Sequence, residues 1–420
     1  MSRKRSVLLN KSSFKSTVRL PGSKSESNRA LMIAAYGGFK LRAKGLSTAA
    51  DTYLLMQNLE QIHFSIESSV PLVVDCENAG TVLRFLTTYL AGLPGNWMLT
   101  GSYRMKNRPL ATLVEALNAL GASVRHTEQQ GYPPLMIKGS DLIGGKMRID
   151  MSKSSQFASS LLLAAPHWRN GLEMKLTGSI NSMPYLEMTL DMMQYYGAEF
   201  SHQGHNIVVY PKPYTDRVFQ VSRDWSSASY WYELVALSDN SEILLRDLRI
   251  DSMQGDRVLV KLFSSLGVDS HQTAEGIQIA KSRPPQSEME FDFSDCPDLM
   301  PALAASCAGL GVHATFSGLS NLKYKESDRT SVMERELMKL GCVFHAVNED
   351  VYKLIPAESI PKSIPVFDTY GDHRIAMALA PLALKTGYVV INNPDVVVKS
   401  YPDFWDELEQ IDIFTIADES

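Results

Sequence analysis

The sequence has few of the features that mark secreted, membrane or zinc proteins. Its 420 residues include only four cysteines, Cys76, Cys296, Cys307 and Cys342, and no CxxC pair. Sparse thiols of this kind indicate a reducing compartment and provide no zinc site. No run of about 18 uncharged apolar residues is present, and the stretch Val7–Leu9 is too short for a signal peptide. We therefore expect a cytoplasmic protein with no metal and no membrane partner.

Excess charge is also lacking. Lys and Arg number 41 against 46 Asp and Glu, which gives a net charge of −5. A protein that binds nucleic acid through bulk charge is usually basic, so no nucleic-acid partner is expected. Hydrophobic residues make up 45% and charged residues 21%, the composition of a globular protein.

Helix–glycine–strand junctions recur along the chain. Each has two apolar residues spaced i, i+3 on one helix face, then a residue that can end the helix in the left-handed conformation. Four clear copies and two weaker ones, at roughly even spacing, end at Gly121, Gly197, Gly267 and Gly341, and at His63 and Asp412. Such junctions occur in any α/β protein, but their spacing predicts six mixed α/β units. We expect two domains of three units, with a boundary near 221–224, where Asp224 begins a helix after Pro211 and Pro213.

Several predicted helix starts carry residues that favour anions. The starts at 23–29, 78–84, 152–157 and 372–377 combine small or hydroxyl residues with Lys or Arg. Free N–H groups at a helix start attract anions, although ordinary helix capping explains each segment alone. The cation-rich loop 103–109 adds Arg side chains suited to carboxylate or phosphate.

Two further segments place charges near one another. On a helix, Lys325 and Arg329 (i, i+4) and Glu326 and Arg329 (i, i+3) share a face, which suits a tuned acid–base group but also a solvated ion-pair face. Lys399 follows the apolar run Val396–Val398, so we expect it at the end of a strand. Together these features predict a cleft between domains that holds a multiply anionic small molecule.

In these residues the sequence resembles the EPSP synthase (5-enolpyruvylshikimate-3-phosphate synthase) family over nearly its whole length. The matching motifs, in order, are LPGSKSxSNRAL (20–31), NAGTxxR (78–84), RMKxRP (104–109), SSQF (154–157), PD (297–298), KESDR (325–329), DHRxAM (372–377) and KxYPD (399–403). Each motif is short, but their joint order is specific.

The resemblance implies an α/β (α+β) fold of two similar domains. Each domain has three βαβαββ-type units around a pseudo-threefold axis, and the active site lies in the interdomain cleft. Domain 1 would comprise residues 1–20 plus 224–420, and domain 2 residues 21–223. A monomer is expected.

The resemblance also implies a reaction that needs no cofactor. The enolpyruvyl group of phosphoenolpyruvate (PEP) moves to the 5-hydroxyl of shikimate 3-phosphate, with release of phosphate, by addition and elimination through a tetrahedral intermediate. Asp298, Glu326 and Lys24 would be catalytic. Shikimate 3-phosphate would be bound by Lys24, Ser25, Arg29, Ser154, Ser155, Gln156, Ser182, Tyr185, Asp298, Asn321 and Lys325. PEP would be bound by Lys24, Gly80, Arg104, Gln156, Arg329, Arg374 and Lys399.

Two positions depart from the family pattern, and two alternative functions stay open. Glu26 stands where an apolar or small residue is usual, and Phe85 where many members have Pro. With Gly80 retained, we expect the inhibitor glyphosate to compete with PEP. The alternatives are the related transferase that acts on UDP-N-acetylglucosamine, which has a different first motif, and a non-catalytic anion-binding protein, which could lose Asp298 or Glu326.

Overall fold

The computed structural model describes residues 3–65, 70–359 and 364–419, and they form a mixed α/β fold as predicted. Contacts between Cα atoms divide the chain into two units. Unit 1 contains the residues up to Ser23 and those from Ser222 onward, and unit 2 is Lys24–Val221.

Thirteen α-helices lie within the described residues. They are α1 (Lys24–Gly37), α2 (Ala50–Phe64), α3 (Gly80–Ala91), α4 (Ala111–Ala119), α5 (Ser155–Ala164), α6 (Met183–Tyr195), α7 (Trp225–Leu237), α8 (Leu259–Ser265), α9 (Met300–Leu310), α10 (Arg329–Met338), α11 (His373–Leu379), α12 (Ala383–Thr386) and α13 (Phe404–Gln410).

The described strands are short, as is usual for sheets built from repeated units. They are β1 (Lys4–Leu9), β2 (Ser13–Val18), β3 (Arg42–Lys44), β4 (Leu72–Asp75), β5 (Gly95–Thr100), β6 (Ser123–His126), β7 (Leu135–Gly139), β8 (Gly145–Asp150), β9 (Leu172–Thr177), β10 (Phe200–Gln203), β11 (Asn206–Val209), β12 (Val218–Gln220), β13 (Asn240–Arg246), β14 (Val268–Gln272), β15 (Gly276–Lys281), β16 (Glu288–Asp292), β17 (His313–Ser317), β18 (Val343–Ala346), β19 (Tyr352–Ile355), β20 (Val366–Asp368), β21 (Tyr388–Asn392) and β22 (Phe414–Glu419).

Among the residues that the structure describes, each unit contains three sheets. Unit 1 has the strand orders β2-β13-β15-β14, β16-β17-β19-β18 and β20-β21-β1-β22. Unit 2 has β4-β5-β7-β6, β8-β9-β11-β10 and the two-stranded pair β3-β12. Every four-stranded sheet has one parallel pair at an edge, followed by two antiparallel pairs. Five sheets thus share one pairing pattern, where the junctions predicted six units, and the pair β3-β12 has only two strands.

The residues at these junctions end each helix and allow the chain to turn into the strand that follows. All four predicted glycines have positive φ, between 79° and 93°, directly before the edge-forming strands β6, β10, β14 and β18. The weaker copy at Asp412 also turns with φ 56° before β22. The prediction that a helix ends at His63 is wrong, because α2 continues through that residue to Phe64. No glycine interrupts the helix there.

The core of each unit contains helices that are buried on nearly every face. In unit 1, α7 buries every residue except Ser226, and α9 buries nine of its residues, Met300–Ala308. In unit 2, α5 buries all but Gln156. Helices buried all round are central elements.

Candidate functional site

The predicted site residues fall into two sets, one in each unit, and most stand at the first turn of a helix. Unit 1 holds Asp298, Asn321, Lys325, Glu326, Arg329, Arg374 and Lys399. Unit 2 holds Lys24, Ser25, Arg29, Gly80, Arg104, Ser154, Ser155, Gln156, Ser182 and Tyr185.

The centre of the unit 1 set is the carboxylate of Asp298, which lies just before α9. Its Oδ1 accepts hydrogen bonds from Lys325 Nζ (3.1 Å) and Arg329 Nη1 (2.8 Å), and its Oδ2 accepts one from Arg374 Nη2 (2.8 Å). Three cations thus converge on one acid, two from the segment 325–329 and one from the start of α11. Glu326, Asp372 and Lys399 belong to the same cluster, so four cations face three carboxylates. The one surplus positive charge suits the cluster to bind an anion.

The cations decide the protonation state of this acid. Burial on its own would raise the pKa of Asp298, but Arg374, Lys325 and Arg329 outweigh it and hold that pKa well below its usual value. Burial lowers the pKa of Lys325, and Asp298 acts in the opposite direction. Asp298 is therefore an ionised hydrogen-bond acceptor at neutral pH.

Arg329, the first residue of α10, is held in place by a second carboxylate. Its side chain is 1% exposed, and its Nε donates to Oδ2 of Asp372 at 2.8 Å. Asp372 caps α11 by accepting from the Arg374 amide (3.0 Å) and also accepts from the Ser327 hydroxyl (3.0 Å). Asp372 therefore orients both arginines that contact Asp298.

Glu326 and Lys399 lie beside this centre. Glu326 Oε2 accepts from Arg329 Nη2 at 3.0 Å, and its Oε1 is 3.9 Å from Lys399 Nζ. The expected pairing of Glu326 with Arg329 is present, but the helix predicted for it is wrong, since α10 begins only at Arg329 after the cap Asp328. Lys399 is also not at a strand end, because 394–399 form a 3₁₀ helix. An Asn–Pro step starts that turn in place of a strand.

Asn321 is placed near the same segment by a short 3₁₀ turn, Leu322–Tyr324, which it caps. The residue is 7% exposed, and its Oδ1 is buried with no hydrogen-bond partner among the described residues. A buried amide oxygen without a partner is costly, so it is available to a ligand hydroxyl.

In unit 2, Lys24 opens α1 and pairs with an acid that the sequence did not suggest. Its Nζ is 3.0 Å from Oδ2 of Asp51 in the first turn of α2, and both side chains are largely buried. Asp51 fixes the ammonium group and compensates its charge.

Arg29 links α1 to α6 rather than standing open to solvent. It is 2% exposed, and it donates to the Thr189 hydroxyl (2.7 Å) and the Tyr185 carbonyl (3.0 Å). Burial lowers the pKa of Arg29 to about 10. The departure Phe85 has a local explanation, because its ring lies 5.7 Å from the Arg29 guanidinium.

The start of α3 is crowded by two arginines. A Cβ atom at Gly80 would lie 2.5 Å from Arg108 Nη1 and 2.8 Å from Arg84 Nη1. Arg84 Nη1 also donates to Gln156 Oε1 at 2.6 Å, and Gln156 Nε2 donates to the Thr81 hydroxyl at 2.9 Å. The absence of a side chain at Gly80 therefore leaves room for the arginine that orients Gln156.

The remaining unit 2 residues lie at two helix starts and one turn. Ser154 caps α5 by accepting from the Gln156 amide, and Ser155 is the first residue of that helix. Ser182 precedes α6 with φ 61° and does not cap it through its side chain, while Tyr185 lies one turn into that helix. Arg104 is half-buried before the 3₁₀ turn Met105–Asn107.

Three residues that orient the site were missed by sequence reasoning: Asp51, Arg84 and Asp372. Arg84 and Asp372 stand inside recognised motifs, so the motif itself was the available signal. Asp51 lies in the first turn of α2 without such a motif. Its pairing with Lys24 depends on how α1 and α2 pack.

Across the part of the chain that the structure describes, no group of three or more His, Cys, Asp or Glu residues could hold a metal ion. Within the same residues, no helix is long and apolar enough to cross a membrane.

Comparison with known proteins decides the family. The family model described as EPSP synthase (3-phosphoshikimate 1-carboxyvinyltransferase) matches residues 9–408. The chain belongs to the EPSP synthase family. It is 40% identical over 400 residues to a 3-phosphoshikimate 1-carboxyvinyltransferase of Bacteroides fragilis, covering 95% of this chain and 96% of that protein. It is 35% identical over 406 residues to one from Methanoculleus marisnigri, covering 92% and 94%.

Solved structures show the same fold. The EPSP synthase structure from Acinetobacter baumannii matches with a TM-score of 0.77 over 100% of both chains, at 21% identity. The family resemblance predicted from the motifs is confirmed, and with it the class of enzyme, an enolpyruvyl transferase of the shikimate pathway. This assignment replaces the two alternative functions.

Proposed function

We propose that the chain transfers the enolpyruvyl group of PEP to the 5-hydroxyl of shikimate 3-phosphate and releases phosphate, with the residues described above in the roles that their motifs imply. The observation that carries these roles is the contact of Lys325, Arg329 and Arg374 with the Asp298 carboxylate. Both substrates are anions, and a surplus of fixed cations is what binding them requires.

Lys325, Arg329 and Arg374 would have two roles, because they would bind substrate and also set the basicity of Asp298. With all three in contact, the low pKa of Asp298 makes it a weak base. When the carboxylate and phosphate of PEP take over part of the contacts of Arg329 and Arg374, the pull on Asp298 weakens and its proton affinity rises. Substrate binding thereby activates the base that receives the 5-hydroxyl proton.

The proton balance then needs one further acid. In the addition step the 5-hydroxyl oxygen bonds to C2 of PEP, its proton passes to Asp298, and Glu326 delivers a proton to the methylene carbon. In the elimination step Glu326 recovers a methyl proton, the bond from C2 to the phosphate oxygen breaks, and phosphate leaves with the proton from Asp298. Lys399, 3.9 Å from Glu326, would stabilise its carboxylate, and Lys24 would assist proton transfer.

Phosphate release from PEP plus shikimate 3-phosphate tests this proposal. Release should require both substrates, and Glu326→Gln should lower kcat by about 10²–10⁴-fold because the acid is lost. Glu334→Gln is the matched control, since Glu334 is exposed on α10.

Isotope exchange tests the roles more sharply. In D₂O, reversible addition creates a methyl group, so recovered PEP should carry deuterium at its vinyl carbon, and Glu326→Gln should abolish this. Release with UDP-N-acetylglucosamine but not with shikimate 3-phosphate would contradict the proposed acceptor, and undiminished deuterium uptake in Glu326→Gln would contradict the proposed acid.

We also propose that the enzyme acts as a cytoplasmic monomer. All four cysteines are buried free thiols, which suits a reducing compartment. Light scattering coupled to gel filtration should give the 46.7 kDa mass of one chain, and twice that mass would contradict the monomer.

A further inference from the structure

The loop between β20 and α11 makes a tight turn that places two site residues. The amide of Asp372 donates to the carbonyl of Thr369 at 2.8 Å, and the two residues between them have positive φ, 51° at Tyr370 and 71° at Gly371. Two consecutive positive φ values with this bond define a type I′ turn. The turn sets the positions of Asp372 and of Arg374, in the first turn of α11.

One residue of this turn is held in an unfavourable conformation. Glycine accepts positive φ readily, but an aromatic residue such as Tyr370 does so only when its surroundings hold it there. Packing covers the residue only in part, because Tyr370 is 40% exposed. Its hydroxyl donates to Oε1 of Glu336 at 3.0 Å.

Glu336 binds the loop at a second point. Its side chain is completely buried on α10, and its Oε2 accepts from the backbone amide of Asp368 at 2.9 Å and from Lys339 Nζ at 2.7 Å. Lys339 in turn donates to the Val366 carbonyl at 2.8 Å. A buried carboxylate with three donors is thus devoted to β20 and the turn that follows it.

Glu336 also shares its helix with a site residue. Arg329 and Glu336 are seven residues apart on α10, so they lie on the same face. Arg329 binds Asp372 at the end of the turn, and Glu336 binds Tyr370 and Asp368 at its beginning. Helix α10 therefore forms hydrogen bonds with both ends of the turn.

We infer that Glu336 is a positioning residue, which fixes the turn at 369–372 and thereby the placement of Asp372 and Arg374. The effect on catalysis rests on the proposed contact of Arg374 with PEP. The three hydrogen bonds of Glu336 go to this loop and to Lys339, so Glu336 acts through the turn.

The kinetic test compares Glu336→Ala and Tyr370→Phe with Glu334→Ala, an exposed position on the same helix. A displaced arginine should raise KM for PEP about 10–100-fold in Glu336→Ala and less in Tyr370→Phe. KM for shikimate 3-phosphate should change much less. Tyr370→Phe removes one hydroxyl from a partly exposed side chain, so it should keep the thermal midpoint of the wild type. If Glu336 had a purely structural role, its replacement would lower the thermal midpoint and the rate per mole of total protein but leave KM for PEP unchanged. An unchanged KM for PEP would therefore overturn the inference.

Hydrogen exchange supplies a readout that needs no activity. In both variants the amides of 370–374 should exchange faster than in the wild type, while those in β13 and β15 stay unchanged. Unchanged exchange at 370–374 would overturn the inference. If the wild type did not turn over PEP and shikimate 3-phosphate, the proposed function would fail, and the exchange data would still decide whether Glu336 holds the turn.

Discussion

Two of the carboxyl groups in unit 1, those of Asp298 and Glu233, are shielded from solvent but have opposite surroundings. Asp298, with a side chain 20% exposed, accepts hydrogen bonds from Lys325, Arg329 and Arg374. Glu233, in the middle of α7, is 0% exposed, and neither of its oxygens has a hydrogen-bond partner among the described residues. The first group is ionised by its neighbours, and the second is in an apolar environment.

Burial raises the pKa of Glu233 well above its usual value, so the fold favours the neutral form of this acid. The Cys307 thiol on α9 also has its pKa raised by burial. For Asp298 the same burial is outweighed by cations. The comparison shows that burial alone does not decide whether a carboxyl group is ionised, because neighbouring cations can outweigh it. Charge is retained on Asp298, where three cations meet it, and is suppressed on Glu233, which has no such partner.

Asp298→Asn should produce the largest effect, because it leaves three cations without their common anion. We expect kcat to fall about 10³-fold, and the free energy of unfolding to fall by about 3–5 kcal/mol. Phosphate release and urea unfolding measure the two quantities. Glu290→Gln, an exposed acid on β16, is the control and should change neither. Wild-type activity in Asp298→Asn would remove the distinction between the two carboxyl groups.

Glu233→Gln should change stability without changing kcat. An acid whose pKa is raised in the fold contributes stability that is present below its unfolded pKa and is lost as pH rises toward the folded pKa. Relative to wild type, Glu233→Gln should therefore gain stability with rising pH above about 4.3, by roughly 1 kcal/mol for each pH unit. Urea unfolding at several values between pH 4 and 8 checks this. A difference that does not vary with pH would show that Glu233 is ionised in the fold.

Lys325→Met should have the smallest effect and should sharpen the account of Asp298. Removing one cation raises the pKa of Asp298, so the fall of activity on the acid side should move to higher pH. We also expect kcat/KM to fall about tenfold at neutral pH, because an anion contact is lost. The pH profile of kcat at saturating shikimate 3-phosphate separates the two effects. An acid limb at unchanged pH would mean that Lys325 does not control Asp298.

Local features of both fold and site could be predicted from the sequence. The four glycine junctions, the helix start within 152–157 and the helix start at Asp224 depend on neighbouring residues, and the structure has them as expected. The motifs also identified Asp298, Arg329 and Arg374, which do meet.

What could not be predicted depends on contacts between distant segments. Arg329 pairs with Asp372 across 43 positions, and a spacing rule sees no such partner. The expected helix at Lys325 failed for the same reason, since that residue turns toward Asp298 rather than along a helix face. Glu233 stands in an apolar helix, but the sequence does not show that the packing leaves it without a partner.

The most direct test of the central claim is a carbon-13 NMR titration of the Asp and Glu carboxyl groups, with Asp298→Asn and Glu233→Gln used to assign the two signals. We expect the Asp298 carboxyl to stay ionised at pH values where exposed aspartates have become protonated, and the Glu233 carboxyl to stay protonated at pH values where exposed glutamates have ionised. An Asp298 signal that titrates with the exposed aspartates, or a Glu233 signal that titrates with the exposed glutamates, would show that the two groups do not differ in this way.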